Sequence, residues 1–346
     1  MTGTSTRICY IHAGTHKTAS TYIQDKLSQH KRALFLEGIS YNFRGLSEKR
    51  HKPIAMATKG GDVNTLAEHL KRHKDQERDV LISAEQFATA FSNEGIYASA
   101  KATASELGFE MKTIIFIRPQ LDYMNSRYIQ ECKRFYHAQS FRSYVQSYTQ
   151  QHRDDIFNYY SYFHHLLTDK SCTFLPFSKS YGDPFEQLMR AIKVPSVSTL
   201  ISHPANANNA QPGAKGVWLA RQVTRRMKAQ GVDSRKLTPT TQISPKIARA
   251  RSWDNDRFYG FSRKLERDTR RHYRQCNQDF ALAAWESPWE NVFPFKQQVL
   301  NTFKPSSEEE EKEMSERANE VLRYLASKNK HMAKQIISCL NQVDSQ

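Results

Sequence analysis

Short apolar runs alternate along this chain with stretches whose apolar residues recur every three or four positions. Ile8-Cys9-Tyr10-Ile11 is the first such run and predicts a buried strand over 7–12. Ile23, Leu27 and Leu34 follow at helical spacing and predict a helix over 18–36. Ile39 to Phe43 alternates as a short strand does, and the polar, glycine-containing stretch 44–61 reads as a loop. Val63, Leu66 and Leu70 predict a helix over 62–74. Asp79 to Ser83 reads as a strand, 93–107 as a helix, and Met111 to Ile117 as a fully buried strand of the parallel type. The next helix starts with Asp122 as its cap and runs to about residue 136. The aromatic-rich stretch 140–168 is expected to be helical, and Cys172 to Phe177 forms another strand. Pro195, Pro204 and Pro212 mark 194–215 as a linker or lid, with helices at 216–231 and 255–284 beyond it. Ser306-Ser307 before four glutamates opens a last helix, expected to reach residue 341.

Strands alternating with helices imply an α/β fold: a central parallel sheet with helices on both faces. Ligands in such sheets bind at the carboxyl ends of the strands. Three polar clusters fall there: the loop 12–21, Glu85 beyond the 79–83 strand, and Arg118 beyond the 111–117 strand. The expected domains are an α/β domain over 1–285, including the basic helical segment 216–284, and a helical C-terminal extension over 286–346.

Composition adds the sign of the partner. The 346 residues carry a formal charge of +16, which draws phosphorylated nucleotides, anionic glycans, membrane surfaces and nucleic acids alike. Between Arg221 and Arg274 lie 16 basic residues against 5 acidic ones, a local excess of 11. Solvated helix faces or a polyanion-facing surface both account for that excess. No apolar run approaches the roughly 20 residues of a membrane span, and residues 1–6 lack the regions of a secretory leader. The expected compartment is therefore the cytoplasm, with peripheral contact at the inner membrane surface left open by the charge. The five cysteines show no Cys-x-x-Cys spacing, so neither a zinc site nor a disulfide framework is expected. They read instead as small buried side chains.

The chemistry concentrates between the first strand and the first helix. Gly14-Thr15-His16-Lys17-Thr18-Ala19-Ser20-Thr21 places small residues, hydroxyls and one ammonium at a helix N-terminus, where backbone N–H groups favour an anion. The order Gly-x-x-Lys-Thr differs from the Gly-Lys-[Ser/Thr] ending of the nucleoside-triphosphate loop. Arg118 ends a buried strand and Ser126 follows eight positions later, a guanidinium and a hydroxyl suited to a second phosphate. Glu85 is a candidate general base, with His12 and His16 as rivals for that role; a helix-dipole role for Glu85 and a structural or phosphate-contacting role for either histidine are the competing assignments.

Gly-x-x-Lys-Thr-x-[Ser/Thr]-Thr after the first strand, with Arg and Ser eight apart after a later one, resembles the sulfotransferase family. The stretch from His12 to Gln24 is especially similar to bacterial carbohydrate-type members. The resemblance spans about residues 7–284 and is strong at the two loops. It implies a P-loop-like three-layer fold and 3′-phosphoadenosine-5′-phosphosulfate (PAPS) as donor, without a metal. It further implies that Gly14, Thr15, His16, Lys17, Thr18, Ala19, Ser20 and Thr21 hold the phosphosulfate end. Arg118 and Ser126 would hold the 3′-phosphate, and Lys17, Glu85 and His16 would carry catalysis. The implied acceptor is a hydroxyl of a carbohydrate or glycolipid, and no stable nucleic-acid partner is expected.

The chain departs from that family where Ala19 stands in place of a common glycine, and where Phe177-Ser178 stands in place of Tyr-Glu. Two alternatives to a sulfotransferase remain at this point. A P-loop-related kinase would need an acid for Mg²⁺ at a strand end. A nucleic-acid-binding protein would use the basic 221–274 segment, with Trp253, Phe258, Tyr259, Phe261 and Tyr273 stacking on bases.

Overall fold

Arg7–Gly14 form the first strand, β1, and its apolar residues are buried from Cys9 onward. The computed structural model describes residues 6–15, 17–46, 50–73, 76–150, 155–199, 211–237 and 254–340. Four further strands lie parallel to β1: β2 (Ile39–Ser40), β3 (Asp79–Ser83), β4 (Phe109–Ile117) and β5 (Cys172–Pro176). Their order is β2-β3-β1-β4-β5. The connection leaving β1 runs to one side of the sheet and the connection leaving β4 to the other. The topological switch therefore falls between β1 and β4, the place where open α/β sheets form a crevice at their carboxyl ends.

Helices cover both faces, as the alternation of elements requires. On one face Tyr10, Leu81, Ile114 and Phe116 pack with Ile23, Leu27 and Leu34, and with Phe185, Leu188 and Met189. On the other, the helices Gln86–Phe91 and Glu94–Glu106 lie against β1 and β4. Burying this many branched and aromatic side chains at about 1.5–3 kcal/mol each supplies the main drive for folding.

The local elements depart from expectation at several points. The stretch 44–61 is not all loop: Lys52–Lys59 is a helix, opened by Pro53 and burying Ile54, Ala55 and Thr58. The helix expected over 18–36 breaks at His30 into Ser20–Gln29 and Lys31–Leu36. The strand expected over 39–43 extends only over Ile39–Ser40. Asp122 is not a cap. The helix Gln120–Lys133 starts two residues earlier, and Asp122 sits in its first turn, where its charge favours the dipole. The 140–168 stretch holds three helices, Phe141–Thr149, Tyr159–Tyr162 and His164–Leu167. Of the 194–215 linker, Pro195–Thr199 is a 3₁₀ turn, and 200–210 lie outside the described residues.

The chain divides into two compact units. Met1–Tyr123, Asp154–Asn206 and Tyr273–Phe295 form the first, and Met124–Arg153, Ala207–His272 and Lys296–Gln346 the second. The first contains the whole sheet.

In the second unit the helix Ala214–Ala229 has no side-chain cap of its own. Asp254 takes that role from a distance. Its Oδ2 accepts from the backbone N–H of Gly213 at 2.8 Å and of Gly216 at 3.1 Å. A Cβ on either glycine would collide with Asp254. Further along the same helix the guanidinium of Arg226, only 3% exposed, donates to Asn319 Oδ1 at 3.0 Å and to Ser315 Oγ at 2.9 Å. Those partners lie on the helix Glu308–Lys328, which Ser307 caps by accepting from the Glu310 N–H at 3.2 Å. That helix stops at Lys328, short of the expected 341, and a separate short helix follows over Ala333–Ile337.

Candidate active site

The loop that leaves β1 turns over the end of the strand. Thr15 and Thr18 are buried, and both hydroxyls are spent on the loop itself. Thr15 Oγ1 donates to the Phe116 carbonyl at 2.9 Å and Thr18 Oγ1 to the Thr15 carbonyl at 2.6 Å. Lys17 has φ 71° and Ala19 φ 58°, so two residues with side chains occupy left-handed backbone on either side of Thr18. Each costs roughly 1–2 kcal/mol relative to glycine. A negative φ would have made alanine comfortable at position 19. The positive value accounts for the strain that a glycine there would avoid.

Gly14 is where the loop is tightest. A Cβ there would collide with Ser20 Oγ, lie 2.9 Å from Thr18 Oγ1 and 3.7 Å from His12 Nε2. Three polar atoms therefore ring the bare Cα of Gly14. Two of them, Ser20 Oγ and His12 Nε2, are buried and have no hydrogen-bond partner among the described residues. An unpaired buried polar group costs about 1–3 kcal/mol, so these two atoms, close together beside Gly14, are polar groups that the described residues leave unanswered.

His12 is wholly buried, and burial pushes its imidazole down to about 4, against the pull of the Glu85 carboxylate. It is neutral at physiological pH. Its other nitrogen, Nδ1, pairs with Ser83 Oγ at 2.8 Å, as the parallel register of His12 with Ser83 allows. Ser83 is held in turn: its N–H donates to His51 Nδ1 at 3.3 Å, and His51 Nε2 donates to the Asn42 carbonyl at 2.9 Å. These two bonds fix the His51 tautomer, and burial lowers that imidazole to about 4 as well.

Across the topological switch, Arg118 at the end of β4 donates to the Lys17 carbonyl at 2.9 Å. Its own carbonyl accepts from the Tyr159 hydroxyl at 2.6 Å, and its guanidinium lies 5.8 Å from the centre of the Phe177 ring. Glu85 is half-buried at the start of the helix Gln86–Phe91, close enough for its charge to act on His12. Gln24 reaches back to the Ser83 carbonyl at 3.3 Å.

The first unit therefore brings Gly14, Thr15, Lys17, Thr18, Ala19, Ser20, Glu85 and Arg118 to one edge of the sheet. Thr21 is exposed in the first turn of its helix. His16 lies outside the described residues. Ser126 belongs to the second unit, where its buried hydroxyl accepts from Gln211 Nε2 at 3.2 Å.

Sequence reasoning missed Ser83, His51 and Tyr159. Ser83 was within reach, because a serine closing a strand parallel to β1 falls beside His12. His51 and Tyr159 gave no such signal, since both arrive from segments whose placement only packing decides.

Among the described residues no group of three or more His, Cys, Asp or Glu side chains is placed to hold a metal ion. None of their helices is long and apolar enough to cross a membrane. The five cysteines are free thiols, and burial raises Cys9 to about 12. In the basic segment, Phe258, Tyr259, Phe261 and Tyr273 are at most 5% exposed, which removes them as stacking platforms for bases. Trp253 lies outside the described residues. Compared with known proteins, the chain matches no protein-family model, no curated protein and no solved structure.

Proposed function

We propose that this chain is a sulfotransferase that moves a sulfuryl group from PAPS to a hydroxyl of a carbohydrate-containing acceptor. The observation that carries the reading is the pair of buried atoms beside Gly14, Ser20 Oγ and His12 Nε2, which have no hydrogen-bond partner among the described residues. The pair lies at the switch point between β1 and β4, in the loop that carries Lys17 and at a helix N-terminus. Its donor set suits a phosphate oxygen. The Ser20 hydroxyl donates without any change of charge, and Lys17 balances the negative charge that grows on the leaving oxygen.

The donor supplies a sulfuryl group already activated by a phosphate leaving group. The chain's own residues do the rest. The loop 14–20 fixes the position of the phosphosulfate end, and Arg118 holds that loop through the Lys17 carbonyl. Glu85 accepts the proton of the attacking hydroxyl. Arg118 and Ser126 are the proposed address for the 3′-phosphate, on the strength of their spacing and of the resemblance. The excess of basic residues between 221 and 274 draws an anionic or membrane-associated glycan acceptor toward the protein.

Calorimetric titration with 3′-phosphoadenosine-5′-phosphate, ATP and AMP tests the donor. The bisphosphate should bind at least about ten-fold more tightly than either of the others, a difference of about 1.4 kcal/mol. Equal affinity for AMP would remove PAPS as donor. Glu85→Gln should keep bisphosphate binding and lose turnover; retained turnover would move the base to a histidine.

A further inference from the structure

The second unit carries a half-open cavity of about 330 Å³ that the transferase reading does not use. That is about ten times the share of one water in the liquid, and it falls at the small end of the range for ligand sites. Its walls are of two kinds. Aromatic rings dominate one: Phe141, Trp218, Phe258 and Phe303, with Trp218 and Phe303 edge to face at 5.8 Å and 90°. Phe141 and Phe258 stand similarly, at 5.8 Å and 72°. The other kind is cationic, from Arg142 and Arg221.

Among the described residues neither arginine has an acid to answer it. No aspartate or glutamate lines the cavity, and neither guanidinium makes an ion pair among the described residues. Arg221 Nε is buried with no hydrogen-bond partner among them. Two guanidiniums on one cavity wall with no carboxylate in its lining favour an anion, and a carboxylate or phosphate fits their fork.

The remaining polar lining decides against a saccharide. Sugars are gripped through many hydroxyls, and the side chains suited to that are carboxylates and amides. Neither Asp, Glu, Asn nor Gln lines this cavity. Of its four hydroxyl residues, Tyr128 already donates to the Gln139 carbonyl at 2.8 Å, Ser140 accepts from the Ser143 N–H at 3.1 Å and Ser262 from the Leu265 N–H at 3.3 Å. A flat ring packed against an aromatic wall needs no such network.

We infer that this cavity binds an aryl oxyanion, a flat aromatic ring bearing a carboxylate or a phosphate. The acid group sits on Arg142 and Arg221, and the ring lies against the aromatic wall that includes Trp218 and Phe303. The site does not depend on the proposed transferase reaction.

Calorimetry on the full chain with 2-naphthoate, 1-naphthyl phosphate, acetate, inorganic phosphate and glucuronate tests it. At least one naphthyl anion should bind about ten-fold or more tightly than acetate, inorganic phosphate and glucuronate; which one it is identifies the acid group. Arg142 is exposed, so Arg142→Gln leaves the fold intact and should weaken that ligand about ten-fold, the worth of one charge-assisted bond. Trp218→Ala should weaken it similarly, with an unchanged thermal midpoint as the control for folding. Acetate or inorganic phosphate binding as tightly as the naphthyl anions would overturn the proposal. So would glucuronate binding more tightly than both, or full naphthyl affinity in an Arg142→Gln/Arg221→Met variant. Binding of 3′-phosphoadenosine-5′-phosphate is read separately, so failure here leaves the transferase reading standing.

Discussion

The guanidinium of Arg118 donates to the carbonyl of Lys17 at 2.9 Å, across 101 positions of chain. It joins the ends of β1 and β4, the two strands that flank the topological switch. The bond also holds the carbonyl of a residue whose φ of 71° is unfavourable for lysine. Arg118 is therefore a positioning residue for the loop, whatever it contributes to a second phosphate.

That double role gives the first prediction. Arg118→Ala should weaken AMP binding several-fold, because the loop loses its clamp. It should weaken the bisphosphate by about ten-fold more, because a charge-assisted contact to the second phosphate is lost with it. Parallel titrations of both nucleotides check this. Unchanged AMP affinity would remove the clamp, and an equal loss for both ligands would remove the phosphate contact.

Ala19→Gly should stabilise the protein. Left-handed backbone costs alanine roughly 1–2 kcal/mol, and the added freedom of glycine in the unfolded chain takes back about 0.4–1 kcal/mol. A net gain of about 0.5–1 kcal/mol should appear as a higher urea midpoint with an unchanged slope.

The unanswered polar atoms beside Gly14 predict opposite effects on stability and binding. Ser20→Ala removes a buried hydroxyl that has no partner among the described residues, so it should leave unfolding free energy unchanged or raise it by about 1 kcal/mol. The same change should weaken bisphosphate binding about ten-fold, because the donor is gone. Gly14→Ala should abolish binding by pushing its Cβ into the Ser20 and Thr18 hydroxyls. A Ser20→Ala protein that binds as tightly as the parent would show that the hydroxyl does not face the ligand.

Acid should unfold the first unit early. Burial lowers His12 and His51 to about 4 and His69 to about 3, against about 6.5 in the unfolded chain. All three are neutral in the fold. Their contribution is whole above pH 6.5 and is lost as pH falls from there toward the folded values, at up to about 1.4 kcal/mol per pH unit for each. His51 stacks edge-on with His69 at 5.3 Å, and His69 with His73 at 5.2 Å, so protonating one disfavours its neighbour. Urea unfolding at pH 7.5, 6 and 5 should show a midpoint that falls at each step. A flat midpoint over that range would contradict the buried neutral imidazoles.

The sheet was legible because its strands are short apolar runs with polar ends, and four of the five lie close to where those runs fall. The loop after β1 was legible for the same reason: glycine, hydroxyls and a lysine have few uses between a buried strand and a helix. The helix Lys52–Lys59 was not. It is short, it lies among polar residues and glycines, and its apolar face consists of Ile54 and two small residues. The Pro53 at its start was the available signal. Left-handed backbone at Ala19 was equally hidden, since nothing in an alanine announces positive φ. His51 enters the site only because that unforeseen helix starts beside it.

The cap on the helix Ala214–Ala229 sits 41 positions after the Gly213 amide it serves. That distance has a consequence for the order of biosynthesis. As the chain leaves the ribosome, this basic helix emerges with its first amides unanswered, and it stays so until Asp254 has been made. The two glycines that let the carboxylate approach give the nascent helix little intrinsic hold at that end. Maturation of this segment is thus timed by translation of a residue far downstream, and any product ending before Asp254 carries the helix without its start.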